Sequence, residues 1–390
     1  MKKTLLLLLF LLTFCRTFAQ VIKGTVVNDI DQPISDVNIY LDGTKTATTS
    51  AQNGTFTLNI PNVKTGVLVF QKDDYETFTV NVSEVFNKTL KATLLKAQSI
   101  EEVKIIPFTE AAYKKYINDF LNAFIGVDQE NVKIKNHRSL KFSYDSDNKI
   151  LRVKAPQTLI IENKNLGYTI KYNLVEFSSD FENRTTRFYG TSFFTETKNT
   201  DKMKLNRMNA FSGSQVHFFR SVFTKTTKDE GFVVNQITKF PNEKYPTEAE
   251  LERLKEFTAS IKDKKNALSF PADILDIAGR KRNESPYKIG ITKTLIPETD
   301  YTKNVDGKLV LDYNYMLQIN FKKYYYEIKK GEFVKAKIPV VQTSYLHPEG
   351  EIFEISSDGN TSNPGMLTNQ GEFANNKIEN LLPLDYQLGD

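Results

Sequence analysis

The chain has 390 residues, with 52 Lys and Arg against 47 Asp and Glu, three His, one Cys and no Trp. Lys2, Lys3 and Arg16 fall in an N-terminal leader; without those three the balance is 49 basic to 47 acidic, a formal +2 rather than +5, which calls for neither nucleic acid nor an anionic membrane as partner. The single cysteine, Cys15, also lies in the leader, so disulfides, thiolate nucleophiles and cysteine metal sites are excluded from the rest and the fold must rest on its hydrophobic core.

Residues 1–19, MKKTLLLLLFLLTFCRTFA, have a basic start at Lys2 and Lys3, an apolar run from Leu5 to Phe14 and a small residue, Ala19, at the cleavage position. This is the pattern of a secretory signal peptide, and it leaves Gln20 first in the mature chain. The run is shorter than the about 20 residues a membrane helix needs, and no longer one follows, so no transmembrane segment is expected in the mature chain. Cys15 carries a rival reading, acylation and a lipid anchor, although Phe14 stands where lipoprotein processing prefers a small residue. An outer-membrane barrel needs about eight amphipathic strands. The last ninety residues offer about five, and the chain closes on Gly389-Asp390.

From Val21 the pattern is one of short strands. Val21 to Val27 is rich in β-branched residues, and Asp29-Ile30-Asp31-Gln32-Pro33 is a polar turn. Val37, Ile39 and Leu41 alternate with polar neighbours, Asp42-Gly43 turns the chain, and residues 45–50 form a Thr-rich strand. Asn53-Gly54 reads as a hairpin turn. Phe56, Leu58 and Ile60 share one face up to Pro61. Val67 to Phe70 reads as a central strand, Phe78 to Val82 alternates again, and Leu90 to Leu95 closes the set. Seven short strands with turns between them predict a β-sandwich.

The stretch GTVVNDIDQPISDVNIYLDGTKTATTSAQNGTFTLNIP resembles the carboxypeptidase regulatory-like domain, with Gly24, Val26, Pro33, Val37, Gly43, Thr49, Gly54 and Phe56 in the family's spacing. Asp74-Tyr75 stands where a Gly-Tyr pair is common. The resemblance covers residues 20–98 and implies a transthyretin/Ig-like seven-stranded sandwich, which is an accessory to enzymes, receptors and surface proteins and is itself non-catalytic. Residues 99–106 follow as a linker, within SIEEVKIIP, a stretch similar to connectors in Bacteroidota envelope proteins.

Beyond it, Thr109 opens a helix whose Tyr113, Tyr116, Ile117, Phe120 and Phe124 form an apolar stripe, with Gly126 as its stop. Residues 139–144 and 149–154 bracket Asp145-Ser146-Asp147-Asn148 as a hairpin. Strands follow over 158–181 and 188–194. Residues 201–229 have helical spacing broken at Ser212-Gly213-Ser214, with Ser214 as a helix cap. Gly231 to Thr238 returns to strand. Thr247 to Glu250 is a capping box opening a charged helix to about Lys264. Lys308 to Tyr326 and Lys335 to Tyr345 read as two long antiparallel strands, and Leu381 and Leu382 as anchors of a polar tail. The expected architecture is therefore multidomain: an all-β sandwich, then an α+β domain with an antiparallel sheet over 107–390. IENKNLGYTIKYNL, NRMNAFSGSQVHFFRSVF, EGF and LLPLDY resemble an uncharacterised region found behind regulatory-like domains in Bacteroidota, a resemblance that implies architecture but no reaction.

No catalytic motif stands out. A zinc carboxypeptidase needs an H-x-x-E pair and a further histidine, and none of His137, His217 and His347 is followed by a glutamate at that spacing. G-x-S-x-G is absent. Ser214, His217 and Arg220 are the candidates for an atypical hydrolase site, because Ser214 and His217 would share a helical face; the stronger reading is that Ser214 caps the helix while His217, Phe218 and Phe219 help pack it. Asp145-Ser146-Asp147-Asn148 lacks the Gly and Glu of a calcium loop. Glu101-Glu102 reads as solvated linker, Asn53-Gly54-Thr55 as turn rather than glycosylation site, and Tyr324 and Tyr326 as sheet packing rather than a sugar platform. The sequence thus favours a non-catalytic envelope or periplasmic protein without metal or cofactor, acting on protein or glycan partners. Its rivals are the hydrolase and a lipid-anchored accessory of an outer-membrane receptor.

Overall fold

The computed structural model describes residues 20–60, 66–97, 107–261, 270–348 and 350–390. The leader with Cys15, the connector 99–106 and the end of the charged helix near Lys264 lie outside the described residues.

The N-terminal part is a sandwich of β1 (Gln20–Val27), β2 (Asn38–Leu41), β3 (Ala47–Thr49), β4 (Thr55–Ile60), β5 (Val67–Gln71), β6 (Phe78–Asn81) and β7 (Thr89–Thr93), with one helical turn, α1 (Val82–Val85). One sheet has the order β4-β1-β7, the other β3-β2-β5-β6, and β1 runs antiparallel to β4 but parallel to β7. The period-2 pattern explains the faces: in β4, Phe56, Leu58 and Ile60 are buried while Thr55, Thr57 and Asn59 are exposed. Phe56 meets Phe70 of the opposite sheet edge to face at 5.4 Å.

Asn53-Gly54 corrects one expectation. The turn exists, with Gly54 N–H donating to the Ala51 carbonyl at 2.8 Å, but it does not close a hairpin: β3 pairs with β2, and β4 with β1. The turn carries the chain from one sheet to the other. Gly54 has φ +75°, and a Cβ there would lie 2.5 Å from the Val26 carbonyl oxygen, so this close corner admits only glycine.

The next region packs one helix on a six-stranded antiparallel sheet. α2 (Glu110–Phe124) starts at Thr109, whose hydroxyl accepts from the Ala112 N–H, and it buries Tyr113, Tyr116, Phe120 and Phe124. The sheet holds β8 (Val132–Ile134), β9 (Lys141–Asp145), β10 (Ile150–Lys154), β11 (Leu159–Asn163), β12 (Tyr168–Asp180) and β13 (Thr185–Glu196). The long β12 pairs with β11 and β10 on one edge and β13 on the other. Phe120 stands edge-on to Phe142 and Phe177 at 5.7 and 4.8 Å, so the predicted helical stripe meets aromatic residues from two strands. The Asp145 carboxylate accepts the N–H groups of Asp147 and Asn148, which makes it the organiser of the β9–β10 turn.

The last region begins with α3 (Asp201–Phe211) and α4 (Gln215–Thr224), then β14 (Phe232–Pro241), α5 (Glu248–Ile261), α6 (Ala272–Asn283), β15 (Tyr287–Lys293), α7 (Glu298–Tyr301), β16 (Thr302–Val305) and β17 (Lys308–Asp312). It continues through β18 (Met316–Lys323), β19 (Tyr326–Lys329), β20 (Glu332–Lys335), β21 (Val340–His347), β22 (Ile352–Glu354), β23 (Thr368–Gly371) and α8 (Glu372–Asn375). The main sheet has the order β15-β14-β18-β21-β23; small sheets β16-β17-β22 and β19-β20 flank it.

The strand expected over 308–326 is three strands in three sheets. Between β17 and β18 the chain is held by Tyr313, whose buried hydroxyl donates to Gln236 Oε1 at 2.6 Å. After Lys323 it leaves the sheet because Asn209 of α3 takes both the N–H and the carbonyl of Tyr326, at 2.7 and 3.1 Å. Tyr324, Tyr325 and Tyr326 therefore do not share a strand. The strand expected over 335–345 is likewise divided between β20 and β21.

Among the described residues there are three hydrophobic cores: one between α2 and the six-stranded sheet, one beneath α4, where Phe218, Phe219 and Val222 meet Phe232, Leu317 and Phe321, and one inside the sandwich. Leu381 and Leu382 are partly buried against the first core; the larger anchor of the tail is Tyr386, which is fully buried.

Candidate functional site

The candidate residues lie around the elbow between α3 and α4. Ser212-Gly213-Ser214 breaks the helix because Gly213 adopts φ +76°, and a Cβ there would sit 2.6 Å from both the Phe321 ring and Gln342 Oε1. The Ser214 hydroxyl accepts the His217 backbone N–H at 3.1 Å, an N-cap. The elbow separates two clefts: Ser214 lines one and His217 the other. Sequence spacing places these side chains on one helical face, but the structure does not bring hydroxyl and imidazole together.

His217 is wedged between the rings of Phe211, Phe232 and Phe321, at 4.8, 4.9 and 5.6 Å. Its Nδ1 accepts the Gly213 N–H at 3.0 Å, which leaves the ring proton on Nε2, 3.4 Å from Glu230 Oε2. In that tautomer Nδ1 is already engaged and cannot receive a serine proton. Burial lowers the imidazole pKa, and Glu230 only partly opposes it.

Arg220 borders the same cleft, about 660 Å³ in volume, and uses all three of its nitrogens on backbone carbonyls. Its Nε donates to the Asp358 carbonyl at 2.9 Å, Nη1 to that of Tyr386 at 2.8 Å and Nη2 to that of Leu384 at 2.9 Å. The tail so held reaches the sandwich, where Leu384 N–H donates to the Gly43 carbonyl at 2.6 Å. The turn at Asp42-Gly43 also meets β13: Gly43 N–H donates to the Ser192 carbonyl at 2.8 Å, and Ser192 N–H to Asp42 Oδ1 at 2.7 Å. Burial raises the Asp42 carboxyl to about 6, against those two N–H groups. Arg220 thus anchors a joint that ties sandwich, six-stranded sheet and tail together.

On the other side of the elbow lies a polar cleft of about 750 Å³, between the two sheet layers with α3 as one wall. Part of its lining is engaged internally. Asp128 accepts from the amides of Asn131 and Asn165; Glu379 accepts the Asp128 N–H at 2.7 Å; Lys377 donates to the Asn122 carbonyl at 2.8 Å. Lys323 differs. It occupies the core phase of β18, after Leu317, Ile319 and Phe321, and is 8% exposed. It makes no ion pair or hydrogen bond among the described residues; its ammonium lies 4.9 Å from the Tyr325 ring centroid. Burial lowers its pKa, with Glu372 opposing. Sequence reasoning passed over Lys323, although its signal was present: a lysine at a position where the alternation demands an apolar residue.

The other histidines stand apart from this elbow, His137 on a short helical turn with Nδ1 2.8 Å from the Tyr113 hydroxyl, and His347 buried at the end of β21. Among the described residues no group of three or more His, Cys, Asp or Glu is placed to hold a metal ion, and no helix is long and apolar enough to cross a membrane.

The fold is that of a multidomain, strand-rich protein led by a β-sandwich. Residues 22–105 match the family model of the CarboxypepD_reg-like domain, so the N-terminal part of the chain is a carboxypeptidase regulatory-like domain. No curated protein matches the chain. Among solved structures, a protein of unknown function from Bacteroides fragilis NCTC 9343, proposed in its description to be membrane-associated, is 11% identical, with 86% of this chain and 97% of that chain covered and a TM-score of 0.16. That likeness is too distant to carry an inference.

Proposed function

We propose that this is a non-catalytic binding or scaffolding protein of the cell envelope, exported by its leader and acting through protein or glycan contacts. The observation that supports it best is the use made of the chemically suggestive residues. Ser214 caps a helix, Arg220 is spent on three backbone carbonyls, and His217 has its Nδ1 occupied by the chain's own N–H. Groups so engaged hold domains together and are not free for a substrate. A regulatory-like sandwich fixed to the rest of the chain supports the same reading.

A second reading makes Glu230, oriented by His217 Nε2–H, the base that activates water in the 660 Å³ cleft. Pull-down of the tagged protein from its native envelope, with intact-mass analysis, tests the first. A stoichiometric partner and a chain starting at Gln20 support the scaffold. A chain starting at an acylated Cys15 makes it a lipid-anchored accessory. No partner, together with a hydrolytic activity lost in His217→Ala, selects the second reading.

A further inference from the structure

We propose that the cleft lined by Lys323 and Tyr325 binds an acidic saccharide, its carboxylate paired with Lys323 and its hydroxyls with the amides around it. This rests on the binding-protein reading and assigns it a site. The volume of about 750 Å³ is in the range that takes a small ligand.

The ligand class follows from which groups are idle. Asp128, Glu379 and Lys377 are occupied by the chain, and Asn206 and Asn209 donate to the carbonyls of Asn165 and Tyr326. The side chains of Asn375, Asn376 and Asn380 make no hydrogen bond among the described residues, while each amide both donates and accepts, as a sugar hydroxyl does. The charges not taken up are Lys323 and Lys202 against Glu372, whose single contact is a 3.5 Å approach to Gln342 Nε2. The other end of that amide, Gln342 Oε1, is buried with no partner, an unmet acceptor in the cleft wall.

Lys323 gives the sign of the ligand. A buried ammonium that no carboxylate reaches within ion-pair distance, Glu372 acting only from further off, is costly and is rarely left so; an anion entering the cleft supplies the direct partner. Tyr325, two residues on and 41% exposed, offers an aromatic surface to the apolar face of a sugar ring. No arginine lines the cleft, so the anion meets the Lys323 ammonium as a point charge and not a bidentate fork, and a singly charged carboxylate matches that one buried cation.

The test uses the full mature chain and two probes, trigalacturonic acid and its methyl ester, by calorimetric titration. The acid should bind and the ester bind about tenfold more weakly or worse. Lys323→Met should lose the acid by a similar factor, and Tyr325→Ala should weaken both probes. Lys335→Ala, in the other cleft, should change nothing. Equal binding of acid and ester, full binding by Lys323→Met, or no binding of the acid would each overturn the site. Should Lys323→Met not fold, Tyr325→Ala and the ester carry the test. Mass analysis of the recovered sugar separates this from the broader reading: intact trimer is expected, whereas bound but cleaved trimer would end the non-catalytic reading and leave the site standing.

Discussion

Two arginines and one lysine surround the same elbow, and they are used in opposite ways. Arg207 is 0% exposed; its Nε donates to the Leu166 carbonyl at 2.7 Å and its Nη2 to that of Lys198 at 3.0 Å, and its guanidinium lies 4.2 Å from the Tyr168 ring centroid. Arg220 holds three carbonyls of the C-terminal segment. Lys323, 8% exposed, makes no ion pair or hydrogen bond among the described residues, and its ammonium meets only the Tyr325 ring. Burial of a charge therefore does not by itself mark a site. A charge whose hydrogen bonds are filled by backbone is part of the frame, and one left unfilled beside a cavity is available to a ligand.

The largest expected effect is on the frame. Arg207→Ala strands the Leu166 and Lys198 carbonyls and leaves Glu196 without its 3.3 Å partner. A loss of about 4 kcal/mol in urea unfolding is expected; a loss under 1 kcal/mol would mean that water replaces the side chain and the comparison fails.

The joint at Asp42 gives a pH signature. Its carboxyl takes up a proton near pH 6 in the folded chain and near its ordinary value when unfolded. Between these the folded state holds more protons, so this contribution is present at low pH and is lost as pH rises through about 6. Asp42→Asn keeps an acceptor for the Ser192 N–H and should remove that slope, worth on the order of 2 kcal/mol. Parallel stability profiles of wild type and variant from pH 4 to 8 decide it; identical slopes would show that Asp42 is not desolvated by the docked sandwich.

Ser214→Ala should cost about 1 kcal/mol, the value of a lost N-cap, measured by thermal unfolding. Under the second reading it should also leave any His217-dependent hydrolysis in place, since the hydroxyl and the imidazole face different clefts. Loss of such activity in Ser214→Ala would contradict that separation.

Local pattern made the elements readable. The alternation in β4, the stripe of α2 and the caps at Thr109, Ser214 and Thr247 are short-range signals, and each matches its element. Long-range partners were not readable. Asn53-Gly54 has the chemistry of a tight turn, but which sheets it joins is decided by the pairing of β1, about thirty residues earlier. Arg220 sits in a helical pattern that gives no hint of its carbonyl partners at Asp358, Leu384 and Tyr386. Tyr386, the buried anchor of the tail, lies in a polar stretch whose average hides it. The strand breaks at Tyr313 and Tyr326 arise from single side chains, Gln236 and Asn209, far away in sequence.

The most direct measurement is side-by-side equilibrium unfolding of Arg220→Met and Lys323→Met in the full chain. Arg220→Met should lose about 3 kcal/mol, since it leaves three carbonyls unpaired, while Lys323→Met should be neutral or gain about 1 kcal/mol, since it removes a buried charge without a partner. Comparable losses in both variants would show that Lys323 belongs to the frame and that the cleft it lines is not held open for a ligand.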